Sequence, residues 1–285
     1  MPGSSISVSS AVVLAGTVGI LVAGMTTLIY VAFRRKPKNN PRAYLRKEKR
    51  SGSIAVICAG DSHTHASLSS DYVAVLRARH DCHGFAFINA GQNGNTCQDL
   101  LRRLPEIVSC EPDAVTILIG TNDARAGFPE AAEHSFQQSL SFLVSGLHNQ
   151  TKARIALLSL PPLGEDLAAE INRGIDRCNA VIRKVADQDS ADYLPFSESL
   201  RSLIERSGTP SPLRFKLRVG LLLGAPIQHY VLRRNWNEIA ARRGFAVHTD
   251  QIHLNDCAGE MAADLIGTWL VSTFSRESAV LAGQL

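Results

Sequence analysis

The sequence predicts an α/β fold with a five-stranded parallel sheet covered by helices on both faces. Three observations carry that reading. Short apolar runs at residues 54–57, 85–89, 114–119, 154–160 and 193–196 alternate with longer segments of helical periodicity. The runs at 54–57 and 114–119 are β-branched and apolar, as strands buried on both faces are. Three of the strand ends carry polar turns, at Ser62, Gly91 and Asn122, and right-handed crossovers bring all three to one edge of the sheet.

Taken in order, Ile54, Ala55, Val56 and Ile57 form the first strand, and Gly60 permits a sharp turn that a Cβ would obstruct. Asp61 and Ser62 then stand at the C-terminal mouth of the strand, ahead of a helical-looking segment. Open parallel sheets bind ligands at that edge. A helix follows near 70–79. The second strand runs into Asn89-Ala90-Gly91-Gln92-Asn93-Gly94-Asn95-Thr96, a polar turn. Residues 97–104 form a short helix stopped by Pro105. The third strand ends at Gly120-Thr121-Asn122-Asp123. Residues 129–147 have helical periodicity, with Pro129 near the first turn. The fourth strand closes at Pro161-Pro162. Over 166–186, Ile171, Ile175, Cys178, Ile182 and Val185 recur at i, i+4, i+7. A short fifth strand and a closing helix over 257–274 complete the pattern. Residues 207–245 exceed what a plain domain needs at that point and read as an insertion. Gly224 and Pro226 predict two helical pieces with a bend. A Leu-rich patch, Arg214, Lys216, Arg218, Arg233, Arg234, Arg242 and Arg243, together with Tyr230 and Trp236, suits either packing on the domain or a lipid-contacting lid.

Charge separates the chain into parts. Residues 1–33 carry no charged side chain. Residues 34–50 hold nine Lys or Arg against Glu48, a net of +8 out of +4 for the whole chain, so the rest is mildly acidic. That balance gives a nucleic-acid partner little support. The uncharged run over about 6–33 is long enough for one bilayer span, and no basic region precedes it as a signal peptide would want. The expected organisation is a single-pass transmembrane helix, a basic juxtamembrane linker over 34–52, one α/β domain over 53–275 and a tail over 276–285. Basic residues only after the span favour a cytoplasmic domain. Six scattered cysteines, with no Cys-x-x-Cys pair, fit a reducing compartment. His63, His65, His134 and His248 lack the spacing of known metal motifs, so no metal and no cofactor are expected.

A serine nucleophile needs a base, an orienter for that base and donors for an oxyanion. Ser62 is the candidate nucleophile. Asp250 and His253, three residues apart, can face the same way, with Asp250 holding the tautomer and His253 reaching Ser62. The Asn122 amide and the Ser62 and Gly91 backbone N–H groups are candidate oxyanion donors. Read singly, Asp61-Ser62 is equally a capped turn and Asp250-x-x-His253 a surface turn. Asp123 reads as a brace for the Asn122 turn.

In order along the chain, Gly60-Asp61-Ser62, Gly91, Gly120-Thr121-Asn122-Asp123 and Asp250-Gln251-Ile252-His253 resemble the four markers of the SGNH (GDSL-type) hydrolases over about residues 53–275. The resemblance implies a flavodoxin-like three-layer sheet and hydrolysis of acyl esters. It implies Ser62 as nucleophile, His253 as base, Asp250 as orienter, and an oxyanion hole from Ser62, Gly91 and Asn122. His63 stands where that signature often has Leu, next to the nucleophile. The Gly-x-Ser-x-Gly elbow of the α/β-hydrolases is not met, since position 64 is Thr. The expected activity is a membrane-anchored esterase or lipase acting on a small-molecule or lipid acyl ester. An acyltransferase on the same triad and an inactive binding module of the same fold are the alternatives.

Overall fold

The computed structural model describes residues 8–47, 52–80, 84–125, 128–208 and 219–282. Its centre is one parallel sheet of β1 (Ile54–Gly60), β2 (Phe85–Gly91), β3 (Ala114–Leu118), β4 (Arg154–Leu158) and β5 (Asp192–Leu194), in the order β2-β1-β3-β4-β5. That is the flavodoxin-like order, in which the chain reverses direction across the sheet between β1 and β3. Register aligns the ends: Gly60 pairs with Gly91 on one side and with Leu118 on the other. The strands therefore open one rim, at the switch point.

The helices are α1 (Val8–Phe33), α2 (Pro41–Leu45), α3 (Ser62–His65), α4 (Tyr72–His80), α5 (Cys97–Arg102), α6 (Leu104–Val108), α7 (Thr121–Ala124), α8 (Glu130–Gln150), α9 (Glu170–Gln188), α10 (Phe196–Ser207), α11 (Val219–Pro226), α12 (Trp236–Arg242) and α13 (Asp256–Ala282). Helices α4, α10 and α13 pack together, and α5, α6, α8 and α9 form a second layer. Every residue of β3 and all but the first of β1 are buried. One core cluster runs from Val73 and Ile266 through the sheet to Phe136 and Ile182.

Several elements differ from the sequence expectation for local reasons. Pro105 opens α6 rather than ending a helix, because the first helical turn has no use for its missing N–H. Gly91 belongs to β2 rather than to a turn. Helix α10 has a strongly amphipathic pattern that the sequence reading missed. Gly60 is needed for close packing: a Cβ there would lie 2.3 Å from both the Leu118 carbonyl oxygen and Thr64 Oγ1. In the segment expected to be an insertion, α11 includes Gly224 and ends at Pro226, where a π-helical turn (Ile227–Val231) takes over, followed by α12. Arg214, Lys216 and Arg218 lie outside the described residues. Trp236 is buried with Ala225 and Ile239 and stacks on His229 at 4.0 Å, so it is a core residue and not an interfacial one.

The expected membrane span is not supported. Residues 1–7 and the side chains of 8–15, 18 and 21 lie outside the described residues. Among the described residues no helix is long and apolar enough to cross a membrane. The end of α1 is instead tied to the domain: Ser67 Oγ donates to the Ala32 carbonyl at 2.6 Å, and Asn93 Nδ2 reaches the Phe33 carbonyl at 3.3 Å. The linker docks as well, with Asn39 bonded to Asn89 N–H and to the Phe87 carbonyl on the free edge of β2.

Candidate active site

Ser62 is the first residue of α3, immediately past β1. Asp61 caps that helix, its Oδ1 accepting the His63 N–H at 3.0 Å. The Ser62 N–H, in the first turn, has no intrahelical partner to bond. The carbonyl of Thr64 is held by Asn89 Nδ2 at 2.6 Å, which fixes α3 to the end of β2. Gly91 allows this approach, since a Cβ on it would lie 2.2 Å from the His65 nitrogen.

Asp250, His253 and Ser62 form one hydrogen-bonded chain. Asp250 Oδ2 lies 2.8 Å from His253 Nδ1, and His253 Nε2 lies 3.0 Å from Ser62 Oγ. Asp250 Oδ1 accepts the N–H groups of Ile252 and His253 at 3.0 and 2.8 Å. An ionised carboxylate only accepts, so Nδ1 of His253 carries the proton and Nε2 presents its lone pair to the serine. Burial alone would raise the Asp250 pKa. The His253 ring and those N–H groups outweigh it and hold the carboxyl below its ordinary value. All three residues are buried, Ser62 the most accessible at 8 %.

The loop that carries Asp250 and His253 is clamped by groups the sequence reading did not identify. Glu165 accepts the N–H groups of Ala246, Val247 and His248 at 2.8 to 3.1 Å. Burial opposes its charge, but His248 and these donors keep its pKa below the ordinary value. His248 bridges Glu165 Oε1 at 3.2 Å and the Pro162 carbonyl at 2.9 Å. Arg243 donates to the Thr249 carbonyl and to the Leu221 carbonyl, joining the loop to α11. No signal in the sequence marks these pairs, because Glu165 and His248 are 83 positions apart.

The expected oxyanion donors are placed unequally. Asn122 stands on α7, and its Nδ2 donates to the Asn95 carbonyl at 2.9 Å, leaving its second hydrogen. Arg103 braces the same turn through Asn95 Oδ1 and the Ala90 carbonyl. Gly91 N–H is engaged by Asn89 Oδ1 at 3.0 Å. Gly94, at φ +77° on the turn, has no such engagement among the described residues; a Gly between two Asn is the signal that marks it. Asp123 accepts the Cys97 N–H at 3.1 Å and so braces the turn; burial pushes its pKa up to about 6. Among the described residues no group of three or more His, Cys, Asp or Glu is arranged for a metal. Cys58 is buried and free, its thiol pushed up to about 12 by burial, which makes it inert.

A profile described as the GDSL-like Lipase/Acylhydrolase family matches residues 58–216. The match ends before the Asp250–His253 loop, so geometry alone joins that loop to Ser62. Among solved structures, the acetyl xylan esterase AlAXEase is similar at 21% identity and a TM-score of 0.57, over 76% of this chain and 99% of that one. The acetylxylan esterase Axe2 from Geobacillus stearothermophilus is 18% identical with a TM-score of 0.54, over 76% and 94%. A lipase/acylhydrolase from Enterococcus faecalis is 18% identical with a TM-score of 0.54, over 77% and 96%. At these identities the likeness is one of fold. No curated protein matches the sequence.

Proposed function

This chain belongs to the GDSL-like lipase/acylhydrolase family, and from that premise we propose that it hydrolyses carboxylic esters through an acyl-enzyme on Ser62. The observation that carries the proposal is the unbroken chain Asp250–His253–Ser62, at 2.8 and 3.0 Å. His253 Nε2 removes the Ser62 proton as Oγ attacks the ester carbonyl. The tetrahedral oxyanion rests on the Ser62 N–H, the free hydrogen of Asn122 Nδ2 and one backbone N–H of the 91–95 turn. The sequence assigns that last donor to Gly91; its bond to Asn89 favours Gly94. His253 returns its proton to the departing alcohol, leaving Ser62 acylated. Water then attacks, again deprotonated by His253, and the carboxylate product leaves. Asp250 stays ionised and steadies the imidazolium.

The test is hydrolysis of a short soluble ester. Ser62→Ala and His253→Ala each lower turnover by about four to six orders of magnitude, and the double variant is no slower, because triad members act as a unit. Asn122→Ala lowers turnover by about two to three orders of magnitude. Additive losses at Ser62 and His253 contradict the shared mechanism.

We further infer that the protein works attached to a membrane through residues 6–33, with the basic 34–50 segment against anionic headgroups and the domain on the cytoplasmic side. Support comes from the uncharged run of 33 residues and from exposed Ile20, Val22, Met25, Ile29 and Tyr30 on α1. In sealed microsomes the domain should be digested by added protease. A protected domain contradicts the orientation, and release of the full chain by alkaline extraction contradicts the attachment.

A further inference from the structure

His63 follows the nucleophile and is fully buried. Its Nδ1 lies 3.2 Å from Asp61 Oδ1, and its Nε2 lies 2.9 Å from the carbonyl oxygen of Ile252. A carboxylate and a carbonyl oxygen only accept hydrogen bonds. Both ring nitrogens must therefore donate, and only the imidazolium has two N–H groups. A neutral ring would press one lone pair against an acceptor.

The surroundings agree. Asp61 is buried, and its Oδ2 has no hydrogen-bond partner among the described residues, so this carboxylate needs a nearby positive charge. Among the described residues, charged or titratable groups reach the His63 ring from its own turn, through Asp61, and from the opposite loop, through Asp250 and His253. Burial disfavours the His63 charge, but Asp61, the Ile252 carbonyl and Asp250 together hold its pKa above the ordinary value.

The position of the two bonds gives them a consequence. Ile252 directly precedes the base, and its N–H is held by Asp250 while its carbonyl is held by His63. His63 directly follows the nucleophile. One ring thus joins the residue after Ser62 to the residue before His253, across 189 positions of sequence. The His63 and His253 rings lie 6.0 Å apart.

We propose that His63 is a positioning residue, an imidazolium bridge that holds the base loop and the nucleophile turn at the separation the Ser62–His253 hydrogen bond requires. The inference rests on the triad reading above. It assigns to His63 no contact with substrate and no proton transfer.

The test has two arms on the full chain. In wild-type protein labelled with ¹³C and ¹⁵N, the His63 ring, assigned by through-bond correlation to its own backbone between Ser62 and Thr64, should show both nitrogens protonated at pH 7.5. A neutral ring at that pH overturns the proposal, and this reading needs neither activity nor a folded variant. In the second arm, His63→Leu and His63→Gln should lower kcat about a hundredfold with KM little changed, since a displacement of about 1 Å has that effect on a reacting pair. Gln keeps a donor for the Ile252 carbonyl and should recover part of the loss. Unchanged kcat in His63→Leu overturns the proposal. A wild-type protein with a protonated His63 but no esterase activity would sink the triad reading instead, so the two failures are distinct.

Discussion

At the scale of single residues, chemistry and stability pull on different carboxylates. Asp250 and Glu165 are held below the ordinary carboxylate range, so their stabilising contributions are present at neutral pH and lost only in acid. Asp123 is the opposite case, raised from 3.8 to about 6. A raised acid binds its proton more tightly when folded. Its charge therefore costs nothing below pH 3.8, costs progressively more up to about 6, and costs a constant amount above that. Asp123→Asn keeps an acceptor for the Cys97 N–H and removes the charge. Above pH 6 it should be more stable than wild type by about 1–3 kcal/mol, and at pH 4 the gain should shrink toward zero. Chemical denaturation at the two pH values measures this; a loss of stability at pH 7 contradicts it. The residues that sequence makes visible are those marked by local spacing: Ser62 at a strand end, and Asp250 three before His253. Glu165, His248 and the bridge made by His63 were hidden, because each works through a partner far away in the chain and none has a spacing to read.

At the scale of elements, strand ends were legible and helix boundaries less so. Gly60 and Gly91 were read as turn residues, whereas both are demanded by backbone packed within a Cβ's reach. That contact exists only once β1, β2 and α3 have met. Residues 219–242 show the same limit. Their apolar content was plain, but which side chains turn inward depends on α11, the π-helical turn and α12 packing on one another. Trp236 and Ala225 go in, while Leu223, Ile227, Val231 and Leu232 remain exposed. Tyr230 OH donates to the Ser67 carbonyl at 2.8 Å, and Ser67 Oγ bonds the end of α1. Val231 and Leu232 thus directly follow a residue tied to the same point as α1. For a lid that meets lipid, Val231 and Leu232 are the informative positions, since Leu221 and Leu222 are half-buried. The double change Val231→Ser, Leu232→Ser should lower activity on a long-chain ester presented in anionic vesicles by roughly 30- to 150-fold, given about 1–1.5 kcal/mol of lost apolar burial for each of the two side chains and tenfold per 1.4 kcal/mol, and leave a short soluble ester unaffected. Equal losses on both substrates would mark the patch as part of the domain's packing.

At the scale of the whole molecule, the sequence reading reached the sheet, its five parallel strands and the rim on which the site stands. The order β2-β1-β3-β4-β5 brings the ends of β1, β2 and β3 together. That is why Ser62 and the 91–95 turn, far apart in the chain, share a wall with Asn122. The base loop returns to this rim after α12, fixed on one side by Glu165 and His248 and on the other by His63. The central claim is that this assembly makes Ser62 a nucleophile at neutral pH. The most direct measurement is to treat the full chain with a fluorophosphonate, digest it and map the adduct by mass spectrometry. Attack of Ser62 Oγ on phosphorus with loss of fluoride should give one phosphonylated residue, Ser62, in wild type, and none at that position in His253→Ala. An unlabelled wild-type protein, or labelling of Ser62 that is as fast without His253, would contradict the account.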